Sequence, residues 1–410
     1  MTGLKRYLEA RLTKLLRQFP VVVVVGVRQC GKTTLVKRVA PKWAYVDLED
    51  PKTAERVSYD PAFFLRQHPR RVIFDEVQAL PALFRSLRGA VDARRTEKGR
   101  YLLTGSSSPE LLRQASETLA GRVATVQLGT LKASELARQS LSPFYQLFGG
   151  TLNRKNLVQG RPPLTLARVQ RAWLRGGYPE PALRRHEDFH AQWMDSYHSA
   201  YVERDISRLF PRLNRTAYRR FITMLCHLSG TILNKRNLAR ALEVNEGTIR
   251  SYLDIAAGTF LWRQLPSFEK GGPRGVTKMP KGHLRDTGLL HFLLHILNKH
   301  TLDNHPIIGL SFEGFVVEEI LKGLEAASVV GWRAYHYRTR GGAEIDLVLQ
   351  GAFGTLPVEV KCGARPPMRS LQTLVRFVRD HRLPFGVLVN QSDRVEWLTP
   401  QVVQIPVGWL

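Results

Sequence analysis

At 410 residues, 43% apolar and 23% charged, the chain has an ordinary globular composition and enough length for roughly two to four domains. Its 61 Lys and Arg against 35 Asp and Glu leave a net charge of +26 and a pI near 10.5. That field favours a polyanion, so nucleic acid is the expected partner, ahead of a membrane surface or mere solvation of the surplus arginine. No run of about 18 apolar residues is present to span a membrane. Cys30, Cys226 and Cys362 form no CxxC pair, which argues against structural zinc and a disulfide framework. The charged N-terminus has no apolar signal core, and with reduced cysteines this makes a cytoplasmic location the expectation.

In chain order, Leu4 to Phe19 reads as an amphipathic helix with Leu4, Leu8, Leu12, Leu15 and Leu16 on one face, ended by Pro20. Val21 to Val25 is an unbroken run of β-branched residues, the pattern of a buried strand in a parallel sheet. Gly26-Val27-Arg28-Gln29-Cys30-Gly31-Lys32-Thr33 then fits GxxxxGK[ST], and Thr33 to Val39 continues as a helix. Strand, glycine loop and helix are the context in which backbone N–H groups wrap phosphate oxygens at a helix N-terminus. Gly26, Arg28, Gln29, Cys30, Gly31, Lys32, Thr33 and Thr34 are therefore the expected ATP-binding residues, with Lys32 on the β- and γ-phosphates and Thr33 on Mg²⁺.

Trp43 to Leu48 reads as a second strand, and Val72-Ile73-Phe74 as a third that ends in Asp75-Glu76. An apolar strand ending in two acids, at this distance behind a P-loop, is a Walker B pattern. Asp75 is expected to hold Mg²⁺ through its water shell and Glu76 to polarise the attacking water. Tyr101 to Ser108 is a further buried strand ending in hydroxyl residues. Thr104 or Ser106 fits a polar sensor of the γ-phosphate, and fits a plain Ser/Gly turn equally well. Arg122, in Leu119-Ala120-Gly121-Arg122, reads either as an arginine finger acting on a neighbouring subunit or as one more surface arginine.

GVRQCGKTT, VIFDEVQ, LLTGSSS and LAGRV, in this order, resemble the AAA+-type ATPases that carry a C-terminal domain of unknown function 4143. RGGYPEP (Arg175 to Pro181), YVERDI (Tyr201 to Ile206), RDTGLL (Arg285 to Leu290), FEGFVVEEI (Phe312 to Ile320), GAEIDLV and VEVKCG extend the resemblance over nearly the whole chain. It implies an ATPase tied to DNA, and a homo-oligomer, since AAA+ relatives often form rings. Cys30 departs from the small aliphatic residue commoner at its place; its side chain is expected not to matter to a loop that works through backbone N–H groups.

Residues 136–215 read as a loop-rich and then helical lid or linker behind an ATPase core of residues 1–135. Within them Glu203, Arg204 and Asp205 fit either an interface cluster or a solvated face. Residues 216–268 read as a winged-helix module: a helix with Phe221, Ile222, Leu225 and Leu228 on one face, a short helix at Lys235 to Leu242, a turn, a helix from Glu246 to Ala257, and a β wing in FLWRQLPSF. In the DNA-binding reading Asn245, Thr248, Arg250 and Ser251 face a groove or the backbone; the other reading is a lid or protein-binding module. Residues 269–305 are left as a connector.

Residues 306–410 carry a second chemical pattern. GAEIDLVL and LPVEVKC read as two strands joined by a turn, with Glu359 and Lys361 on one face and Asp346 brought onto it. This is the D…ExK pattern of the PD-(D/E)XK nuclease fold. Asp346, Glu359 and the Val360 carbonyl are hard oxygen ligands for Mg²⁺ or Mn²⁺, Lys361 suits water or phosphate, and Glu313 on the preceding helix is the expected extra acid, ahead of Glu318. Arg338 and Arg340 are placed to seat backbone phosphates. A nuclease-like fold kept for binding without cleavage is the competing reading. The expected architecture is thus α/β throughout: a P-loop ATPase domain, a helical linker, a winged helix and a nuclease-like domain.

Overall fold

The computed structural model describes residues 4–106, 117–184, 187–201, 206, 210, 213–268 and 279–410. The chain divides into two units, Met1–Thr130 with Gly258–Phe260, and Leu131–Ala257 with Leu261–Leu410. The first break thus falls slightly before the expected one at residue 135.

The first unit is built on a five-stranded sheet in the order β2-β3-β4-β1-β5, where β1 is Val21–Val25, β2 Ala44–Asp47, β3 Val72–Asp75, β4 Tyr101–Gly105 and β5 Val123–Gln127. Every pairing is parallel, with Val21 opposite Tyr101 on one side and Val123 on the other. All five valines of β1 are buried, as an inner strand covered on both faces requires. Each such side chain contributes about 1.5–3 kcal/mol of transfer free energy. Helix α1, Leu8–Leu16, is shorter than its leucine pattern suggested and buries only Leu8 and Leu12. Helix α2, Lys32–Val39, follows β1 directly. The parallel order brings the C-terminal ends of β1, β3 and β4 to one edge, where ligands of open α/β sheets bind.

In the second unit, helix α3 (Leu166–Arg175) precedes a helix–strand–helix–helix–hairpin run. Its parts are α4 (Arg215–His227), β6 (Thr231–Ile232), α5 (Lys235–Leu242), α6 (Glu246–Gly258), β7 (Trp262–Leu265) and β8 (Lys281–Leu284). The strands form an antiparallel sheet in the order β6-β8-β7, with β8 central. Residues 281–293 are therefore not connector: they supply that central strand and helix α7, Thr287–Leu293, whose Thr287 to His291 are buried. The motif around Gly176 is explained by this helix. A Cβ on Gly288 would lie 2.1 Å from the Arg175 carbonyl oxygen, and Asp286 accepts the Gly177 N–H at 2.9 Å while capping α7 through Leu289 at 3.1 Å. RGGYPEP and RDTGLL thus lock into one another.

The remaining elements are α8 (Ile308–Ala326), β9 (Arg333–Arg338), β10 (Glu344–Gly351), β11 (Gly354–Val360), α9 (Gln372–Asp380), β12 (Gly386–Asn390), β13 (Glu396–Thr399) and β14 (Val402–Pro406). They form a mixed sheet in the order β13-β14-β12-β11-β10-β9. Strands β9 to β11 are antiparallel neighbours, and β11, β12 and β14 run parallel. Leu374, Phe377 and Val378 of α9 pack on Ile345, Val348 and Leu388 of this sheet, with Val375 at the margin. The stem of the β7 hairpin joins its edge through backbone bonds between Phe268 and His336 (2.7 Å) and between His336 and Pro266 (3.0 Å).

Candidate functional site

In the first unit, β1 runs into the glycine loop. A Cβ at Gly26 would stand 2.1 Å from the Leu128 carbonyl oxygen, so only glycine lets the loop leave the sheet at this point. Gly31, with φ 96°, opens α2. Lys32 is buried, and its Nζ donates to the carbonyls of Gly26 (3.1 Å) and Val27 (3.2 Å) while lying 3.6 Å from Glu76 Oε1. Arg28 pairs with Glu49 at 3.6 Å, and Gln29 and Thr34 are exposed.

Asp75, at the end of β3, gathers three hydroxyls. Thr33 Oγ1 donates to its Oδ2 at 2.7 Å and Tyr45 Oη to the same oxygen at 2.6 Å, while Thr104 Oγ1 donates to Oδ1. The parallel pairing of β3 with β4 explains the last contact, because it sets Thr104 beside the end of β3. Burial, reinforced by Asp75, pushes the Tyr45 hydroxyl pKa far up, so it stays protonated and donates to Asp75. Glu76 adopts the left-handed conformation, φ 53°, and its N–H donates to Thr104 Oγ1 at 3.0 Å. Its Oε2 accepts from Gln78 (2.6 Å), from the Ser106 hydroxyl (2.6 Å) and from the Ser106 N–H (3.1 Å). Burial pushes the Glu76 pKa up, but Lys32 and these donors outweigh it and hold the carboxyl below its ordinary range. Of the two sensor candidates, Thr104 thus touches both acids and Ser106 touches Glu76; Ser107 and Ser108 lie outside the described residues. The Thr33 hydroxyl and Asp75 carboxylate are the donor set a hard divalent cation takes, so Mg²⁺ with a nucleotide fits these residues.

Two features here had no signal in the sequence. The Arg6 guanidinium braces the loop from behind, donating to the carbonyls of Cys30 (2.9 Å) and Gly129 (2.8 Å). The Cys30 side chain is fully buried, with its Sγ 3.5 Å from the Leu128 carbonyl oxygen. Arg122 is committed within its own unit: Nε and Nη2 donate to the two oxygens of Asp92 at 2.6 and 3.0 Å.

In the second unit the hairpin β10–β11, with Leu347 opposite Val358, brings Asp346 and Glu359 together. Asp346 Oδ2 accepts the Val360 N–H at 2.8 Å, and Lys361 Nζ donates to Glu359 Oε1 at 2.6 Å. Glu313 of α8 joins them, and so does a residue not anticipated, Lys281 of β8. Its Nζ lies 2.7 Å from Glu313, 2.7 Å from Glu344 and 3.3 Å from Asp346. Burial alone would lower the Lys281 pKa; Glu313, Asp346 and Glu344 outweigh it and keep the ammonium charged. Burial, with Asp346 beside it, pushes Glu313 well above the carboxylate range and Glu359 up to about 8. Glu318, on the same helix, goes the other way: burial raises it, but Arg263 and Arg285 hold it well below. Glu318 thus belongs to a separate network with Arg263, Arg285 and His283. Among the described residues no three His, Cys, Asp or Glu side chains form a ready-made metal cage. The carboxylates converge, as expected from the pattern, but on an ammonium, so as arranged they do not fit a metal.

The remaining candidates are spread over the same unit. Asn245 caps α6, its Oδ1 accepting from the Thr248 N–H (2.7 Å) and hydroxyl (3.1 Å), so this oxygen is already engaged. Arg250 and Ser251 are exposed, as are Arg236 and Arg240 on α5. Arg338 donates to Glu344 at 3.3 Å, and Arg340 is exposed. Glu203, Arg204 and Asp205 lie outside the described residues.

Comparison with known proteins places three domains on the chain: an AAA domain over residues 18–137, the domain of unknown function DUF8612 over 166–300, and the domain of unknown function DUF4143 over 308–410. Among solved structures, the chain is similar to a Walker-type ATPase of Pyrococcus abyssi, with 13% identity, a TM-score of 0.43, and 70% of this chain and 94% of that one covered. It is also similar to Thermotoga maritima RuvB T158V, with 17% identity, a TM-score of 0.32, and 63% and 89% covered. Two curated relatives, the uncharacterized proteins Rv2008c of Mycobacterium tuberculosis and Mb2031c of Mycobacterium bovis, are each 35% identical over 408 residues, 95% of this chain and 84% of the relative. No helix among the described residues is long and apolar enough to cross a membrane. The chain therefore belongs to the family of these two mycobacterial proteins, and its AAA domain makes it a P-loop ATPase of the AAA type.

Proposed function

We propose that the chain is an ATP-driven DNA-processing protein whose second unit combines a winged-helix module with a PD-(D/E)XK nuclease-like domain. The observation that carries this reading is the run α4-β6-α5-α6-β7-β8, helices backed by a three-stranded antiparallel sheet, in a chain of net charge +26. That is the arrangement in which a second helix enters a DNA groove and basic residues meet phosphates. Arg236 and Arg240 on α5 and Arg250 on α6 are exposed cations, with Ser251 next to Arg250; Asn245 and Thr248 set the start of the reading helix. Arg338 and Arg340 would extend the phosphate contacts. Mg²⁺-ATP supplies a γ-phosphoryl group for transfer to water. Lys32, drawn from the Gly26 and Val27 carbonyls, offsets phosphate charge. Thr33 and Asp75 would hold a Mg²⁺ ion, which would offset phosphate charge, and Glu76, fixed by Thr104, Ser106 and Gln78, would orient the attacking water. Metal-dependent cleavage by Asp346, Glu359, Lys361 and Glu313 of the C-terminal domain, on branched DNA for instance, would require the Lys281 ammonium first to leave those carboxylates.

A second reading is favoured by one observation, the Lys281 ammonium among those carboxylates. In it the second unit binds DNA under ATP control and cuts nothing. Labelled duplex, single-stranded and four-way DNA, incubated with Mg²⁺ or Mn²⁺ with and without ATP, separates the two. Cleavage that Glu359→Ala abolishes and Lys32→Ala uncouples from ATP supports the enzyme. ATP-dependent binding with intact DNA supports the switch, and the absence of any DNA affinity defeats both.

A further inference from the structure

We propose that the solvent face of α9, with the segment leading into it, is a second phosphate-binding surface, which holds the backbone of duplex DNA against the C-terminal domain without reading bases. This rests on the reading of the chain as DNA-binding and adds a contact face outside the winged-helix module, independent of the carboxylate cluster.

The charge here is one-sided. From Gly363 to Leu383 the chain carries five arginines, Arg365, Arg369, Arg376, Arg379 and Arg382, against one acid, Asp380. All five arginines are exposed. On α9 the two faces separate: Leu374, Phe377 and Val378 are buried, whereas Gln372, Arg376 and Arg379, at i, i+4 and i+7, share the outer face. Arg369 stands one turn earlier, in the 3₁₀ turn Met368–Leu371. Asp380 is divided between two guanidinium groups, 3.9 Å from Arg376 and 3.3 Å from Arg379. Among the described residues Arg365, Arg369 and Arg382 pair with no carboxylate.

Exposed ion pairs of this kind contribute little, so a phosphate oxygen replaces Asp380 at small cost. Guanidinium groups match phosphate oxygens two at a time. The backbone beneath them is already fixed. The Gly363 carbonyl accepts the Gln391 N–H at 3.1 Å, the Ala364 carbonyl accepts Asn390 Nδ2 at 3.2 Å, and the Pro367 carbonyl accepts the Ser370 N–H at 2.9 Å and its hydroxyl at 2.7 Å. Binding therefore orders arginine side chains but not the segment that carries them. The one aromatic ring of α9, Phe377, is buried, which removes the stacking platform that a single strand takes and favours a duplex backbone. Contacts of this class position DNA and leave its sequence unread.

The test is fluorescence anisotropy of the full chain with two labelled duplexes of unrelated sequence over a salt series, for wild type, Arg369→Gln/Arg376→Gln/Arg379→Gln and Asp380→Asn. The triple variant should bind both duplexes about ten-fold or more weakly near 0.1 M salt, with a log–log salt slope shallower by about 2–3. Asp380→Asn, which frees two guanidinium groups, should bind both several-fold more tightly. Wild-type affinity and slope in the triple variant, with binding weakened by Arg240→Ala/Arg250→Ala, would overturn this face and leave the DNA reading standing. No duplex binding by wild type would overturn both. A loss confined to one duplex would overturn the backbone role. Lost binding of labelled poly-glutamate, with duplex affinity unchanged, would assign the face to an acidic protein and overturn the proposal. Should the triple variant fail to fold, Asp380→Asn decides: duplex affinity equal to or below wild type overturns the proposal.

Discussion

Thr104→Val is the sharpest probe of the ATPase site. Thr104 is fully buried, and its hydroxyl makes two bonds at once, donating to Asp75 and accepting the Glu76 N–H at 3.0 Å. Valine keeps the shape and deletes both. A hydrogen bond to a charged group contributes about 1.5–3 kcal/mol, and an orphaned buried N–H costs about 1–3 kcal/mol. Asp75 retains Thr33 and Tyr45 as donors, so the net loss should fall near 2–4 kcal/mol. For a unit of this size that is a fall in Tm of roughly 5–15 °C. The functional effect comes through Glu76, whose left-handed backbone is pinned by this N–H contact. Misplacing it should lower kcat for phosphate release by about 10- to 100-fold, or roughly 1.4–2.7 kcal/mol of barrier. Nucleotide affinity should change little, because the glycine loop is untouched. Thr104→Ser, which keeps the hydroxyl, should stay near wild type. A Thr104→Val protein with wild-type turnover and Tm, or a Thr104→Ser protein as damaged as the valine variant, would refute the role.

Other consequences are testable by simpler means. Burial drives the His291 pKa down to about 4, with its ring held between Ser311 and the Leu174 carbonyl. The unfolded chain therefore binds a proton that the folded one refuses between pH 6.5 and 4, and this residue's contribution falls as pH drops, by up to about 3 kcal/mol. Chemical denaturation of wild type and His291→Asn across that window should show a steeper acid loss for wild type; parallel curves would contradict it. Glu359, raised toward 8, runs oppositely, its contribution weakening as pH climbs from 4.5 to about 8. Arg240→Ala/Arg250→Ala should weaken DNA binding on all sequences and shallow the log–log salt slope by about 1–2, as fluorescence anisotropy at several salt concentrations would show; an unaltered slope would remove these residues from the interface. Lys132, 2% exposed, binds Tyr145 Oη at 2.9 Å and lies 3.3 Å from Glu319 Oε2. Lys132→Met should cost about 3 kcal/mol or more, and adding Glu319→Gln should cost less than the sum of the single variants; strict additivity in urea titrations would show the pair uncoupled.

What could be read in the sequence was what the chain places close together. Val21 to Thr33 spells strand, loop and helix within one stretch, and Asp346 and Glu359 lie on adjacent strands of one hairpin with Lys361 directly after the second, so periodicity sets their faces. The hidden contributors are long-range. Arg6 reaches Cys30 and Gly129, Tyr45 reaches Asp75, and Lys281 reaches Glu313 and Asp346; no local pattern marks any of them. Lys-Gly-His-Leu has neither the alternation nor the β-branched content of a buried strand. It becomes one because β6 and β7 flank it on both sides, which is tertiary context overriding propensity. For the same reason residues 269–305 read as connector when their second half carries a core strand and helix.

The acidic helix α8 shows why the second unit should not yield its pieces separately. Glu313, Glu318 and Glu319 are all buried on this one helix, and each faces a different set of cations. Glu313 meets Lys281, Glu318 meets Arg263, Arg285 and His283, and Glu319 meets Lys132 and Lys322. Only Lys322 lies within the C-terminal domain itself. Breaking a buried ion pair by removing one partner costs about 3–5 kcal/mol, so a fragment of residues 306–410 stripped of the other cations would forfeit an amount comparable to the whole stability of a small domain. The carboxyl groups would either protonate or draw water into the helix's packed face. The expected outcome is that this fragment, expressed alone at pH 7, shows no cooperative thermal transition, whereas residues 131–410 do. A cooperative melt from the short fragment near the Tm of the longer one would mean that the three glutamates are satisfied without their distant partners, and the folding interdependence argued from these ion pairs would be wrong.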